Sequence, residues 1–88
     1  MANTKSAMKR IRTNEIRRQR NKEIRSKVRT ILKKFDATVE AGDQAQAQEA
    51  YQTAVSALDR AAAKGVIPSA RASRKVSRMA VRLQALGA

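Results

Sequence analysis

Apolar residues recur along this chain at three- and four-residue spacings in three separate stretches, which predicts three amphipathic helices and no strands. In the first, Ile24, Val28, Ile31, Leu32, Phe35 and Val39 form one stripe. The second runs through Ala47, Ala50, Tyr51, Ala54, Val55, Leu58, Ala61 and Ala62. Ala72, Val76, Met79, Ala80, Leu83 and Leu86 make the third. The breaks between them are chemically marked by Gly42-Asp43 and by Gly65-Val66-Ile67-Pro68-Ser69. Helix 1 is predicted from a cap at Asn3 or Thr4 to Ala41, with Gly42 taking the left-handed position beyond its end. Helix 2 starts at Asp43, with Gln46 placed for a capping box, and ends at Gly65 with Lys64 in its last turn. Helix 3 opens on Ser69 as cap and frays near Gly87, and Pro68 keeps helices 2 and 3 from fusing.

The stripe of helix 1 stops at Ile24. Continued towards the N-terminus, the same seam meets Arg20, Arg17, Thr13 and Arg10, so apolar packing cannot extend there. The sequence therefore predicts an all-α fold: an antiparallel three-helix bundle of residues 24–88, with residues 1–23 projecting beyond it as the basic half of a long first helix, all in a single domain 1–88. At 1.5 Å per residue a helix from Lys5 to Ala41 is about 55 Å long, against roughly 25–30 Å for its partners. Repulsion between like charges three or four residues apart weakens an unpacked arm, so its full helicity is expected to depend on neutralisation by a partner. In the opposing arrangement helices 2 and 3 reach further, and Arg17 and Arg20 pair with Glu49 or Asp59.

Charge identifies the kind of partner. The 88 residues carry 20 Lys or Arg against 7 Asp or Glu, a net +13. Residues 1–34, 35–63 and 64–88 hold +11, −4 and +6 of it. So large a single-sign field repels itself unless a polyanion neutralises it. The chain has no cysteine and no histidine, which removes disulfides, thiolate metal sites, cysteine nucleophiles and the commonest general base. Its three glycines are isolated, so there is no phosphate-cradling glycine loop. Neither enzyme chemistry, nor a metal, nor a cofactor is expected. No run approaches the ~20 apolar residues of a membrane span, and a cytoplasmic location is expected.

The candidate interface has two parts. In the arm, Lys5, Lys9, Arg10, Arg12, Arg17, Arg18, Arg20, Lys22, Arg25, Lys27 and Arg29 surround the helix, with Ser6 and Asn21 as added hydrogen-bonding groups. Arginine holds a phosphate through two parallel hydrogen bonds, and only Glu15 and Glu23 interrupt the series. In helix 3, Arg71, Arg74, Lys75, Arg78 and Arg82 fall within an arc of about 100°, opposite Val76 and Leu83, and no carboxylate joins them. Ser73 and Ser77 lie beside this arc. Recognition of unstacked bases uses aromatic platforms, but Phe35 and Tyr51 are the only aromatics and both lie on core stripes. Backbone and shape recognition of folded nucleic acid remains. The acids Asp43, Glu49 and Asp59 turn helix 2 away from such a partner. A DNA-compacting protein would share the charge, though its basic tails tend to be low in complexity. A membrane-surface helix needs a broader apolar face than Ala7, Met8, Ile11 and Ile16 offer.

The sequence also resembles a known family. Met1-Ala2-Asn3, Lys5-Ser6-Ala7, Lys9-Arg10, Arg29-Thr30, Lys33-Lys34-Phe35 and Val39-Glu40-Ala41-Gly42-Asp43 are similar to the bacterial small-subunit ribosomal protein twenty family. The similarity continues through Leu58 to Ile67, Arg74-Lys75 and Ser77-Arg78, and so covers nearly the whole chain. This resemblance implies a three-helix bundle with a long first helix, bound to small-subunit ribosomal RNA low in the body of the particle and active in its assembly. It further implies other ribosome components as neighbours, no small-molecule substrate, no membrane and no homo-oligomer. The family usually carries His-Lys-Asn where this chain has Pro68-Ser69-Ala70, and a further basic position of the third helix is Val76 or Val81 here.

Overall fold

The computed structural model describes residues 4–87, which form three α-helices: α1 (Lys5–Glu40), α2 (Gln44–Ala63) and α3 (Ser69–Gly87). Thr4 caps α1, its hydroxyl accepting the Ala7 N–H at 3.2 Å; Asn3, the other proposed cap, lies outside the described residues. Both interhelical turns are Schellman motifs. Gly42 at φ +72 donates to the Val39 carbonyl and Asp43 N–H to that of Thr38. Gly65 at φ +75 donates to Ala62, and Val66 to Ala61. These bonds satisfy the carbonyls that a helix end leaves open, and the positive φ is what calls for glycine at both sites.

Two details of the predicted caps differ. The Asp43 carboxylate accepts the Gln46 N–H at 3.1 Å, but the reciprocal half of a capping box is not made, because the Asp43 N–H already closes the preceding Schellman turn. Ser69 is the first residue within α3 rather than its cap. After Gly65, Val66 and Ile67 have turned back onto α2, only Pro68 is left to start the helix, and its carbonyl accepts the Ala72 N–H at 3.1 Å.

The buried core is Val28, Phe35, Ala47, Ala54, Leu58, Ala61, Ala72 and Met79, all on the predicted stripes. Ile24, Leu32, Val39, Tyr51, Val76 and Leu83 pack around it half-buried, with Val66 and Ile67 closing one end. Because the α2 stripe is mostly alanine, its neighbours approach closely. α2 packs along both other helices, whereas α1 and α3 touch only sparingly. Near the chain's end, Gly87 comes against the Gln44 side chain, so α3 returns to the start of α2.

At 36 residues α1 is about 54 Å long, against about 30 Å for the 20 residues of α2. The end of α2 sits level with Ile24, where Lys64 shares a groove with Arg20, Glu23 and Ile24. Beyond that point α1 continues alone, which gives overall dimensions of 62 × 21 × 14 Å. Arg17 and Arg20 are exposed there, and among the described residues neither pairs with Glu49, Asp59 or any other carboxylate.

Candidate nucleic-acid interface

Along the arm, among the described residues, every side chain is exposed except Ala7, Thr13 and Asn21, which are half-buried. Lys5, Ser6, Lys9, Arg10, Arg12, Arg17, Arg18, Arg20, Lys22, Arg25, Lys27 and Arg29 all reach solvent. Met8, Ile11 and Ile16 stand 62%, 52% and 63% exposed, too scattered for a continuous apolar face. The Gln19 amide holds the Glu23 carboxylate at 3.5 Å, so one of the two acids is engaged within the helix itself.

The two basic regions are not independent. Among the described residues there is one ion pair, between Arg82 of α3 and Asp36 of α1. The Arg82 guanidinium also lies 5.6 Å from the centre of the Phe35 ring. Arg82 is thus engaged inside the protein, joining α3 to α1 on the side where the two helices otherwise barely touch. Its basic arc borders the apolar seam instead of standing opposite it, which is also why Lys75 is half-buried while Arg71, Arg74 and Arg78 are exposed. The pair is nearly half exposed at both ends, so it contributes about 0–1 kcal/mol and acts chiefly on orientation.

That orientation has a geometric consequence. At 100° per residue, Arg18, Lys22, Arg25, Arg29, Lys33 and Asp36 share an arc of about 80° on α1. The contact at Asp36 therefore turns this whole α1 row towards the α3 side. Two antiparallel steps leave α1 and α3 running the same way, so Arg78, Lys75 and Arg71 follow alongside Lys33, Arg29 and Arg25. Helix periodicity thus sets two basic rows side by side along the seam between α1 and α3, a furrow in which neither row carries an acid until Asp36 at its end. Lys33 belongs to this row although sequence reasoning left it out; its place four residues after Arg29 was the signal that could have found it.

Among the described residues no group of three or more potential metal ligands is assembled, and no helix is long and apolar enough to cross a membrane.

Comparison with known proteins identifies the family. The family model for "Ribosomal protein S20" matches residues 2–84. The chain is 52% identical over 86 residues to small ribosomal subunit protein bS20 of Saccharopolyspora erythraea, covering 98% of this chain and 100% of that one. It is 50% identical over 86 residues to the Gluconobacter oxydans protein of the same name, covering 98% and 97%. With the Alcanivorax borkumensis protein the identity is 49% over 88 residues and all of both chains. Similarity of this degree, end to end, makes the chain a member of the ribosomal protein S20 family.

Proposed function

We propose that this protein is a structural constituent of the small ribosomal subunit, that it binds small-subunit ribosomal RNA directly through its basic helices, and that it supports assembly of the subunit. The family is structural and non-enzymatic, and the ribosome of the cytoplasm is where such a chain works. The observation that supports the RNA-binding mode is the Arg82–Asp36 contact, from which the paired basic rows along the α1–α3 furrow follow. Arg18, Lys22, Arg25, Arg29 and Lys33 on one side and Arg71, Lys75 and Arg78 on the other are spaced by helix turns of about 5.4 Å, comparable to phosphate spacing along an RNA strand. Among the described residues the exposed cations, Arg82 excepted, are in no ion pair, so binding phosphate does not require breaking existing salt bridges.

In this reading the arm, cationic around its circumference, enters between RNA strands, and the bundle fixes its direction. Residues 1–23 serve as the RNA-reaching segment and 24–88 as the anchoring unit. Arg82 contributes by holding α3 in register beside α1. The aromatic rings stay in the core, so recognition rests on backbone and shape. Small-subunit reconstitution from RNA and proteins, with and without this chain, tests the proposal. Slower formation of complete particles on omission, and a chemical footprint on the RNA that needs the chain, are the expected results. Equal affinity for duplex DNA and ribosomal RNA, with no effect on assembly, would overturn it in favour of general polyanion binding.

A further inference from the structure

On the other flank of α1, where the arm leaves the bundle, the helices enclose a small cleft. It has a volume of about 220 Å³ and lies between α1 and the last turns of α2. Ile24, Val28, Ile31 and Ala57 form an apolar floor, and Lys27, Arg60 and Lys64 stand at its rim. Lys64 and Lys27 also border the adjoining groove that continues onto the arm past Arg20 and Glu23.

Three features of this cleft point the same way. No carboxylate lines it, although α2 is the acidic part of the chain. Its cations are exposed and none is in an ion pair among the described residues; the Arg60 guanidinium is steadied by the Ser56 hydroxyl at 3.2 Å. The Schellman bonds from Gly65 and Val66 satisfy the Ala62 and Ala61 carbonyls at the end of α2, and Lys27, Arg60 and Lys64 place three cations beside a helix end that on its own would disfavour an anion. A plain inorganic anion has no use for the apolar floor, and a lipid chain would need a deeper one.

We propose that this elbow cleft is a second RNA site, taking one phosphodiester of a strand that passes on the opposite side of α1 from the furrow. The phosphate lies among Lys27, Arg60 and Lys64, and the attached ribose lies against Ile24, Val28 and Ala57. Arg60 and Lys64 thereby join the RNA-contacting residues even though no other cation lies next to either in the sequence.

The inference rests on the RNA-binding reading above, so its test carries a control for that reading. Affinity for small-subunit ribosomal RNA is measured across a salt series for the full-length chain and three variants, each first checked for an intact thermal transition. Arg60→Ala/Lys64→Ala is expected to weaken binding by about ten-fold or more and to lower the salt slope by about one to two units. Ala57→Phe fills the cleft without touching a charge and is expected to cost about five-fold or more in affinity. Arg10→Ala/Arg17→Ala, on the arm beyond the cleft, is the control. If the control loses affinity while the elbow double variant matches the unmodified chain in affinity and slope, the cleft proposal is wrong and the RNA reading stands. Should neither double variant change binding, the RNA reading itself fails. A folded Ala57→Phe chain with undiminished affinity overturns the seat for the ribose, leaving Arg60 and Lys64 as part of a diffuse field. Where Ala57→Phe does not fold, the elbow double variant decides.

Discussion

Replacing Phe35 by alanine separates the work of the two halves of α1. Phe35 is fully buried, packed beside Tyr51 with ring centroids 6.3 Å apart and beneath the Arg82 guanidinium. Truncating such a ring to alanine costs about 3–5 kcal/mol, since the cavity left behind relaxes only in part. At roughly 0.05–0.15 kcal/mol per residue, a chain of this length has about 4–13 kcal/mol of stability in all. Half of the buried core is alanine, which places the bundle towards the lower part of that range. Phe35→Ala should therefore lower the melting temperature by at least about 12 °C, at about 4–8 °C per kcal/mol for a small domain. Arg17→Ala, by contrast, removes an exposed side chain without an ion pair and should stay within about 0.5 kcal/mol of the unmodified chain. Its loss should instead weaken RNA binding alike across sequences and reduce the salt slope by about one unit. Circular dichroism melts and RNA titrations of the two variants form the assay. A large fall in melting temperature for Arg17→Ala with unchanged RNA affinity would refute the projecting arm, and a shift below about 5 °C for Phe35→Ala would refute the assigned core.

RNA affinity should fall steeply with salt, on the order of 10³–10⁵ between 50 and 200 mM for 6–10 phosphate contacts, and a flat response in filter binding would contradict phosphate recognition. Amide hydrogen exchange of the free chain should show weaker protection over residues 5–22 than over 45–62, because no tertiary contact supports the arm; equal protection would count against this. Gly65→Ala should destabilise the bundle by about 1–2 kcal/mol in urea unfolding, since φ +75 is strained for any residue with a Cβ even though the space beside it is open. Gly65→Asn should lose less, and the opposite order would mean that the turn relaxes out of the left-handed region.

How far the molecule could be read from its sequence differs by type of interaction. Stripes, turns and glycines are local, and the periodic placement of Val28, Phe35, Leu58 and Met79 was enough to name the core. The point where α1 leaves the bundle was equally legible, because one seam changes from Ile24 to Arg20 and Arg17. What sequence could not show is which neighbour each helix face meets. Ser69 looked like a cap until Val66 and Ile67 proved to belong to the preceding turn, and the Gln46 side chain lost its partner to Thr38 for the same reason. Arg82 reads from sequence as a phosphate ligand alone, and nothing local announces that it also pairs with Asp36, forty-six residues away.

The Arg82 contact also bears on why this small core suffices. Close packing along α2 leaves α1 and α3 almost without contact of their own, so their relative rotation is set by few groups. Of the charges on either helix, an acid on α1 meeting an arginine on α3 is the combination that draws the rows together; every pairing upstream, from Lys33 and Arg78 to Arg25 and Arg71, is repulsive. One attraction at Asp36 against several repulsions along the furrow should leave the unbound pair of rows less tightly held at the end nearer the arm, where only their packing on α2 opposes the repulsion. A polyanion entering the furrow reverses the sign of each of those repulsions while leaving the Asp36 contact in place. Binding should thus stabilise the fold by more than the mass-action effect on a rigid protein would suggest only if the free rows are further apart than the bound ones. On the proposed RNA-binding reading, a small core then has only to hold three helices in order, and a strand in the furrow would help to set the spacing of α1 and α3.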